Sequence, residues 1–253
     1  MGRYLACVVG VAAPDPFRFR GERFAFGTAA GVDGDVDFYT GLLYEEVPSD
    51  RLVFAGARTR RHDTTRKALL SHLAHLAGDA RAGDTLVLVL VGHGFQVRDN
   101  PDRPDEADGF DEVFAAADQP IVDDDFAGLW ATMRPDANVI VFADTCSSHT
   151  IGIMGGRSDE HINSDASKGP SRLSLAASMP FETAASEPAR VGSGSRGIFS
   201  QALEVAWQGE RPATYLDWFR ATATHVGATR PKQHPQLLYI GPDDELLNRR
   251  PFT

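Results

Sequence analysis

The stretch Thr85-Leu-Val-Leu-Val-Leu-Val-Gly-His-Gly94 decides the fold, together with a second run, Asn138-Val-Ile-Val-Phe-Ala-Asp-Thr-Cys146. In both runs the apolar residues are continuous rather than alternating, and many are β-branched, which is typical of strands buried on both faces of a sheet. One run stops at His93 and the other at Cys146, and both side chains are reactive. The sequence therefore predicts two central strands, each of which ends at a reactive side chain.

The rest of the chain alternates between strand and helix patterns. Further strands are predicted at 4–11, 52–55, 172–176 and 236–240, and helices at 35–46, 63–77, 125–133, 199–207 and 215–226. Turn-forming and acidic residues predict loops at 14–31, 98–125 and 147–170. This alternation predicts an α/β fold with a mostly parallel central sheet and helices on both faces, in a single domain over residues 1–253.

Composition excludes some classes of function. The chain has 253 residues, 42% of them hydrophobic, which is enough for a large core, and its net charge of −10 argues against a nucleic-acid partner. The run 5–13 could serve as a short signal peptide, but we interpret it as the first core strand, and no run is long enough to cross a membrane. Cys7 and Cys146 do not form a disulfide framework, so we expect a cytoplasmic protein. The sequence predicts no oligomeric state.

The two reactive strand ends suggest acyl transfer. If the long strands are neighbours, about 5 Å apart, His93 and Cys146 open onto one crevice. A nearby imidazole can draw the proton from a thiol and later protonate a leaving amine. The backbone N–H groups of Gly94 and Cys146 could stabilise the oxyanion. These parts predict hydrolysis of a peptide bond through a thioester, with protein or peptide substrates and no cofactor required for the chemistry.

The motifs resemble those of the caspase-like cysteine peptidases, and among them the metacaspases and bacterial orthocaspases. Val-Gly-His-Gly94 lies about fifty residues before Ala-Asp-Thr-Cys146, the spacing of that family. Asp105-Glu-Ala-Asp-Gly-Phe-Asp-Glu112, Ile121-Val-Asp-Asp-Asp125, Gly197-Ile-Phe-Ser-Gln-Ala-Leu203 and Lys232-Gln-His-Pro-Gln236 extend the likeness. The resemblance implies the caspase-haemoglobinase fold, a sheet of about six strands between helices. It also implies His93 as base and Cys146 as nucleophile, without an obligatory third member.

The same resemblance implies specificity for Arg or Lys before the scissile bond. Asp144 matches an aspartate that lines the family's S1 pocket, and carboxylates hold cations by charge-assisted hydrogen bonds. Asp35 matches a second such aspartate. Its alternative role is to cap or begin a helix.

A Ca²⁺ site and self-cleavage are further expectations. Asp108, Asp123 and Asp124 match positions that bind activating Ca²⁺ in metacaspases, although the family's additional aspartate after the cysteine is missing from residues 151–156. The alternative is a solvated acidic loop. A basic-specific peptidase could also cut its own loop, and the candidate sites are Arg157, Lys168 and Arg172.

One departure lies next to the nucleophile, where the family's His-Ser-Gly is replaced by Ser147-Ser148-His149. His149 is either a second titrating group near the site or a solvated loop residue. The departure keeps open a second function, a catalytically weak binding or scaffold module. A third alternative, a relative with legumain-like or gingipain-like specificity, is disfavoured by the segment Asp105–Glu112.

Overall fold

A six-stranded sheet forms the centre of the molecule. The computed structural model describes residues 2–54, 64–99, 109–148, 151–152, 169–179, 181–188, 194–242 and 244–253. Across the sheet the strands are β13 (Gln236–Ile240), β10 (Ser171–Ala176), β9 (Asn138–Thr145), β5 (Thr85–Gly92), β1 (Tyr4–Val11) and β4 (Leu52–Phe54). Every neighbouring pair is parallel except β10 with β13. The mostly parallel sheet predicted from the sequence is confirmed.

Five helices cover the two faces of this sheet. They are α1 (Val32–Glu46), α2 (Arg66–Asp79), α3 (Asp123–Trp130), α4 (Ile198–Gln208) and α5 (Tyr215–Thr229). Helices α1, α4 and α5 share one buried cluster with alternate strand residues such as Val87 and Val89, whereas α2 and α3 share the other with Leu86 and Leu88. Because successive strand side chains point to opposite faces, the continuous apolar runs serve both clusters. The helices on both faces are therefore confirmed as well.

The predicted loop at 98–125 is partly wrong. An antiparallel sheet joins β6 (Gly94–Arg98), β7 (Phe110–Ala115) and β8 (Pro120–Val122), and its strands include about a third of that acidic stretch. Its acids are buried with partners from elsewhere: Asp111 lies 2.7 Å from the Arg20 guanidinium, and Glu112 accepts a 3.0 Å hydrogen bond from Gln96. These partners allow strand structure where composition alone predicts a turn-rich loop.

Two short hairpins and several shifted boundaries also differ from expectation. Strands β2 (Phe17–Phe19) and β3 (Glu22–Phe24) pair within the predicted loop 14–31, and β11 (Ser186–Pro188) pairs with β12 (Ser195–Gly197). Helix α1 begins three residues before Asp35, and helix α2 is capped by the Thr65 side chain. The predicted cap of α2, Asp63, lies outside the described residues. In the described part of the chain, no helix is long and apolar enough to cross a membrane.

Candidate active site

The carboxyl ends of three parallel strands bring the two reactive residues together. Val11 of β1 pairs with Gly92 of β5, and Gly92 pairs with Thr145 of β9. His93 and Cys146 are each the next residue after these pairs. Both therefore leave the sheet at its carboxyl edge, side by side, where open α/β sheets bind their ligands.

Both glycines of Gly-His-Gly are required by close contacts. Gly92 has φ 147°, and a Cβ built on it would lie 2.5 Å from the Val11 carbonyl oxygen. A Cβ on Gly94 would lie 2.0 Å from the Cys146 carbonyl oxygen and 2.6 Å from Thr145 Oγ1. The strand ends at Cys146 and at His93 are thus in direct backbone contact, which only glycine permits.

The His93 ring is oriented by a backbone carbonyl. Nε2 lies 2.7 Å from the Gly27 carbonyl oxygen, and the Phe26 ring stacks on the imidazole at 4.9 Å between centroids. A carbonyl oxygen only accepts, so Nε2 must carry the hydrogen of this bond. In the neutral ring Nδ1 is then the basic nitrogen. No sequence signal marks Gly27, because a backbone carbonyl contributes through position and not through residue type.

The surroundings of the Cys146 thiol favour its protonated form. Its Sγ donates to the Ala184 carbonyl oxygen at 3.8 Å. Burial raises the pKa of this thiol, the backbone contact with Ala184 opposes the rise, and the charge of Asp144 adds to it. A base must therefore take the proton before the sulfur can attack a substrate. The other thiol is a structural group, because burial raises the pKa of Cys7 to about 12.

Asp35 and Asp144, predicted to line the S1 pocket, converge on one point. A Cβ on Gly197 would lie 3.1 Å from one Asp144 oxygen and 3.2 Å from an Asp35 oxygen. Asp35 accepts hydrogen bonds from the Gly197 N–H, at 2.9 and 3.0 Å, and from the Ser200 hydroxyl. The Tyr39 hydroxyl donates to Asp144 at 3.3 Å. We call Asp35 and Asp144 the acid pair; both side chains are buried.

The charge of the acid pair is only partly compensated. Burial raises the pKa of Asp35 and raises that of Asp144 well above its usual range, with the Asp35 charge as a further cause for Asp144. Arg196 lies beside the pair: its Nε is 3.5 Å from Asp35, its Nη1 is 2.5 Å from Glu204, and its guanidinium covers the Phe38 ring. The guanidinium of Arg196 thus serves Glu204 as well as the acid pair, and the pair binds protons more readily than isolated carboxylates do.

A cavity of about 510 Å³ opens beside this cluster. It begins at Thr28, next to the residue that orients His93, and is lined by Gly31, Phe38, Ser195 and Arg196 among others. Sequence reasoning missed Arg196. The sequence did point to the region of Ser200, because this residue lies within the segment Gly197–Leu203 that carries part of the resemblance.

The remaining predicted site residues are distributed more widely. Asp123 and Asp124 begin α3, and Asp108 lies outside the described residues. Across the described ranges, no group of three acidic, histidine or cysteine side chains could hold a metal ion, so these ranges alone do not fit a Ca²⁺ site. Burial raises the pKa of the neighbouring Asp111 to about 6, against the Arg20 charge, and the Asp99 and Asp124 charges contribute to the rise.

The self-cleavage candidates differ in position. Arg172 is the second residue of β10 and is paired with Val139 on one side and Ile240 on the other. Cleavage after Arg172 would require this strand to leave the sheet, which makes it the weakest candidate. Arg157, Lys168 and the alternative titrating group His149 all lie outside the described residues.

Comparison with known proteins agrees with the resemblance. The family model "Metacaspase, peptidase C14 domain" matches residues 29–153. Metacaspase-7 of Arabidopsis thaliana is 31% identical over 119 residues, which are 47% of this chain and 28% of that protein. Metacaspase-1 of Lodderomyces elongisporus is 34% identical over 102 residues, 37% of this chain and 23% of that protein. The matches thus span about a quarter of these relatives' length.

A solved structure extends the likeness of fold to the whole chain. Protein GSU0716 of Geobacter sulfurreducens superposes with a TM-score of 0.72 at 22% identity, covering 99% of this chain and 98% of that one. The matched range 29–153 contains α1 with Asp35, the strand end at His93 and the nucleophile position Cys146. On these findings residues 29–153 are similar to the metacaspase peptidase domain, and the whole chain has the fold of the Geobacter protein.

Proposed function

We propose that the chain is a cysteine endopeptidase that cleaves peptide bonds after Arg or Lys, with Cys146 as nucleophile and His93 as base. The observation that carries this proposal is the register of β5 with β9. Gly92 pairs with Thr145. The next residue of each strand end, His93 on one and Cys146 on the other, therefore lies beside its counterpart. The match of residues 29–153 to the metacaspase peptidase domain supports the same reaction class.

In the first half of the reaction, His93 Nδ1 takes the proton of Cys146 Sγ. The bond from Nε2 to the Gly27 carbonyl stabilises the imidazolium that results, because this N–H remains paired in both protonation states. The thiolate attacks the carbonyl carbon of the scissile bond, and the negative charge passes to its oxygen. Backbone N–H groups of Gly94 and Cys146 are the proposed donors to that oxyanion.

In the second half, the imidazolium returns its proton to the leaving amine. The C–N bond breaks and the acyl group stays on Cys146 as a thioester. His93, neutral again, takes a proton from a water molecule, and the hydroxide attacks the thioester. The carboxylic acid product leaves, and the thiol regains the proton.

The acid pair supports the basic specificity. When both carboxylates of the pair are ionised, one resident guanidinium does not balance their charge, and a substrate Arg or Lys would do so. Because Gly197 covers both carboxylates, a substrate cation can reach them only if the segment at Arg196 and Gly197 shifts. Binding of the cation and loss of a proton from the pair would then be coupled.

The test is a comparison of fluorogenic peptides that end in Arg, Lys or Asp before the reporter, within a positional-scanning library. We expect hydrolysis of the Arg and Lys peptides by the natural chain and by Cys7→Ala, and none by Cys146→Ala or His93→Ala. Cys7 is the matched control, since it is the other thiol and lies in the core. Preference for the Asp peptide would contradict the assigned pocket. Full activity of Cys146→Ala would contradict the assigned nucleophile.

A second candidate function is a caspase-like binding or scaffold module. It is favoured by the resting contacts: the thiol donates to Ala184, its pKa is raised, and the imidazole is engaged by Gly27. An electrophilic peptide probe ending in Arg distinguishes the two functions. A peptidase is labelled at Cys146 at stoichiometric level, and a scaffold is not.

Ca²⁺ activation, self-processing and a cytoplasmic location are further parts of the proposal. Hydrolysis measured with a chelator and then across a Ca²⁺ titration tests the first, and unchanged rates would remove it. Mass spectrometry of the natural chain beside Cys146→Ala tests the second. Fragments ending at Arg157 or Lys168 are expected only in the former.

A further inference from the structure

The segment between β10 and β11 lies against the nucleophile. We call residues 177–185 the covering loop; all of them except residue 180 are described. The Glu182 carbonyl accepts a 3.0 Å hydrogen bond from the Ser147 N–H, and the Ala184 carbonyl accepts from the Cys146 thiol. Ser147 has φ 44°, a left-handed conformation that is unfavourable for a serine. The covering loop thus holds the residue after the nucleophile in an unusual backbone conformation.

One side chain joins the two ends of this loop. The Gln233 Nε2 donates to the Ala177 carbonyl at 3.0 Å, and its Oε1 accepts from the Ala185 N–H at 3.1 Å. Gln233 is 1% exposed, so both bonds are shielded from water. Only an amide supplies a donor and an acceptor at this length, because a carboxylate has no donor and a thioether has neither at useful strength. The glutamine is therefore suited to close the loop.

The neighbouring residue fastens the middle of the same loop. The Glu182 carboxylate accepts from the His234 N–H at 3.0 Å and meets His234 Nδ1 at 2.5 Å. It also accepts from the Met179 N–H at 3.2 Å. Two consecutive residues, 233 and 234, thus hold the covering loop at its ends and its centre. They belong to the segment Lys232–Gln236, to which the proposed chemistry gives no task.

We propose that Gln233 is a positioning residue for the nucleophile: by closing the covering loop it sets the place of the Ala184 and Glu182 carbonyls and, through them, the orientation of Cys146. The role of the thiol as nucleophile rests on the proposed function, whereas the control of its environment does not. Gln233 touches neither substrate nor thiol. It acts through the loop backbone.

The prediction concerns both reactivity and turnover. Without the Gln233 bonds the covering loop moves away from the Cys146 thiol, and the thiol becomes more hydrated. The pKa of Cys146 therefore falls, and its alkylation at a fixed pH accelerates. At the same time the nucleophile loses its fixed direction, so peptide hydrolysis slows. General unfolding would expose Cys7 as well as Cys146, so continued protection of Cys7 separates the effect on the loop from a loss of the fold. Asp144 acts electrostatically on the thiol, Glu182 and His234 form an ion pair at the covering loop, and His93 follows the neighbouring strand β5.

The test compares the natural chain with Gln233→Met and Gln233→Glu, and with Gln208→Ala as the control. Gln208 lies on the surface at the end of α4 and bonds only to Glu204. Iodoacetamide alkylation is measured across pH by mass spectrometry. Cys7 serves as an internal monitor of folding, because it is buried and its pKa is raised to about 12.

For both Gln233 variants we expect Cys146 to alkylate about threefold faster or more at pH 7, with the pH profile moved to lower pH. We expect kcat to fall about 10-fold to 100-fold, and KM to change by less than about twofold. Unchanged alkylation profiles would overturn the proposal, as would labelling of Cys7, since Gln233 would then support the whole fold. If the natural chain cleaves no peptide, the proposed function fails, while the alkylation profiles still decide the role of Gln233.

Discussion

Gly94→Ala is the sharpest test of how the two strand ends meet. The added Cβ would lie 2.0 Å from the Cys146 carbonyl oxygen, 2.6 Å from Thr145 Oγ1 and 3.0 Å from Thr145 Cβ. Two of these three atoms belong to Thr145, the last residue of β9. The nearest atom is the backbone carbonyl oxygen of Cys146, which no change of rotamer can move away. The backbone of one strand end must therefore move by about 1 Å or more to reach an ordinary contact distance.

The size of the effect follows from that displacement. Overpacking of a closely packed region costs about 1–3 kcal/mol, which for a chain of this size lowers Tm by about 2–4 °C per kcal/mol. A misplacement of about 1 Å at a catalytic group costs roughly 100-fold in rate. We expect a small loss of stability together with a large loss of peptide hydrolysis and a changed rate of Cys146 alkylation.

The assays are thermal unfolding, peptide hydrolysis and alkylation, each made beside Gly41→Ala. Gly41 lies within α1, and a Cβ there meets nothing within 4 Å. This control should gain about 0.5–1 kcal/mol, the usual difference between Ala and Gly in a helix, and keep its activity. If Gly94→Ala were as stable and as active as the natural chain, the close contact of the strand ends would be refuted.

Three further predictions concern charge. Burial opposes ionisation of Asp84, but hydrogen bonds from Arg3 and Arg81 hold the pKa of its carboxyl below the usual range, so its stabilisation is present above the unfolded pKa and lost as pH falls. Asp84→Asn should lose about 1.5–3 kcal/mol in urea unfolding at pH 7 and less at pH 3. Because burial raises the pKa of the acid pair, KM for an Arg peptide should fall as pH rises, while KM for the neutral citrulline analogue stays constant. If Ca²⁺ binds near α3, it should raise Tm in the natural chain and not in Asp124→Asn, and equal shifts in both would contradict the predicted ligand.

The main sheet could be predicted from the sequence because its strands are buried on both faces. Such strands have continuous apolar runs, and residues 86–91 and 139–143 are apolar throughout. Strand β7 could not be predicted in this way. It carries two buried acids, Asp111 and Glu112, whose partners come from Arg20 and from Gln96. The energy that makes a strand of this segment lies in contacts distant in sequence, which a local pattern does not contain.

The start of α1 was missed for a related reason. Its N-cap is Gly31 in a left-handed conformation, without a side-chain cap, so Asp35 has the appearance of a first helical residue. In the structure Asp35 is inside the helix, and its carboxylate turns to Gly197 and Ser200 instead of to its own backbone. The alternative in which Asp35 only caps the helix is therefore wrong. The partners explain this aspartate, and they lie more than 160 residues further along the chain.

The acid pair explains why Gly197 and Ser200 occupy their positions in the segment Gly197–Leu203. The glycine is required because a Cβ would come within 3.1–3.2 Å of both carboxylates, and Ser200 is required as a hydroxyl donor to Asp35. Two buried like charges destabilise a fold, and apolar residues of similar volume would serve stability better. A chain that keeps both acids, and supplies Tyr39 and Ser200 to them, retains negative charge beside the nucleophile at the expense of stability. Such an arrangement is expected where a cation binds, and it agrees with the basic specificity proposed above.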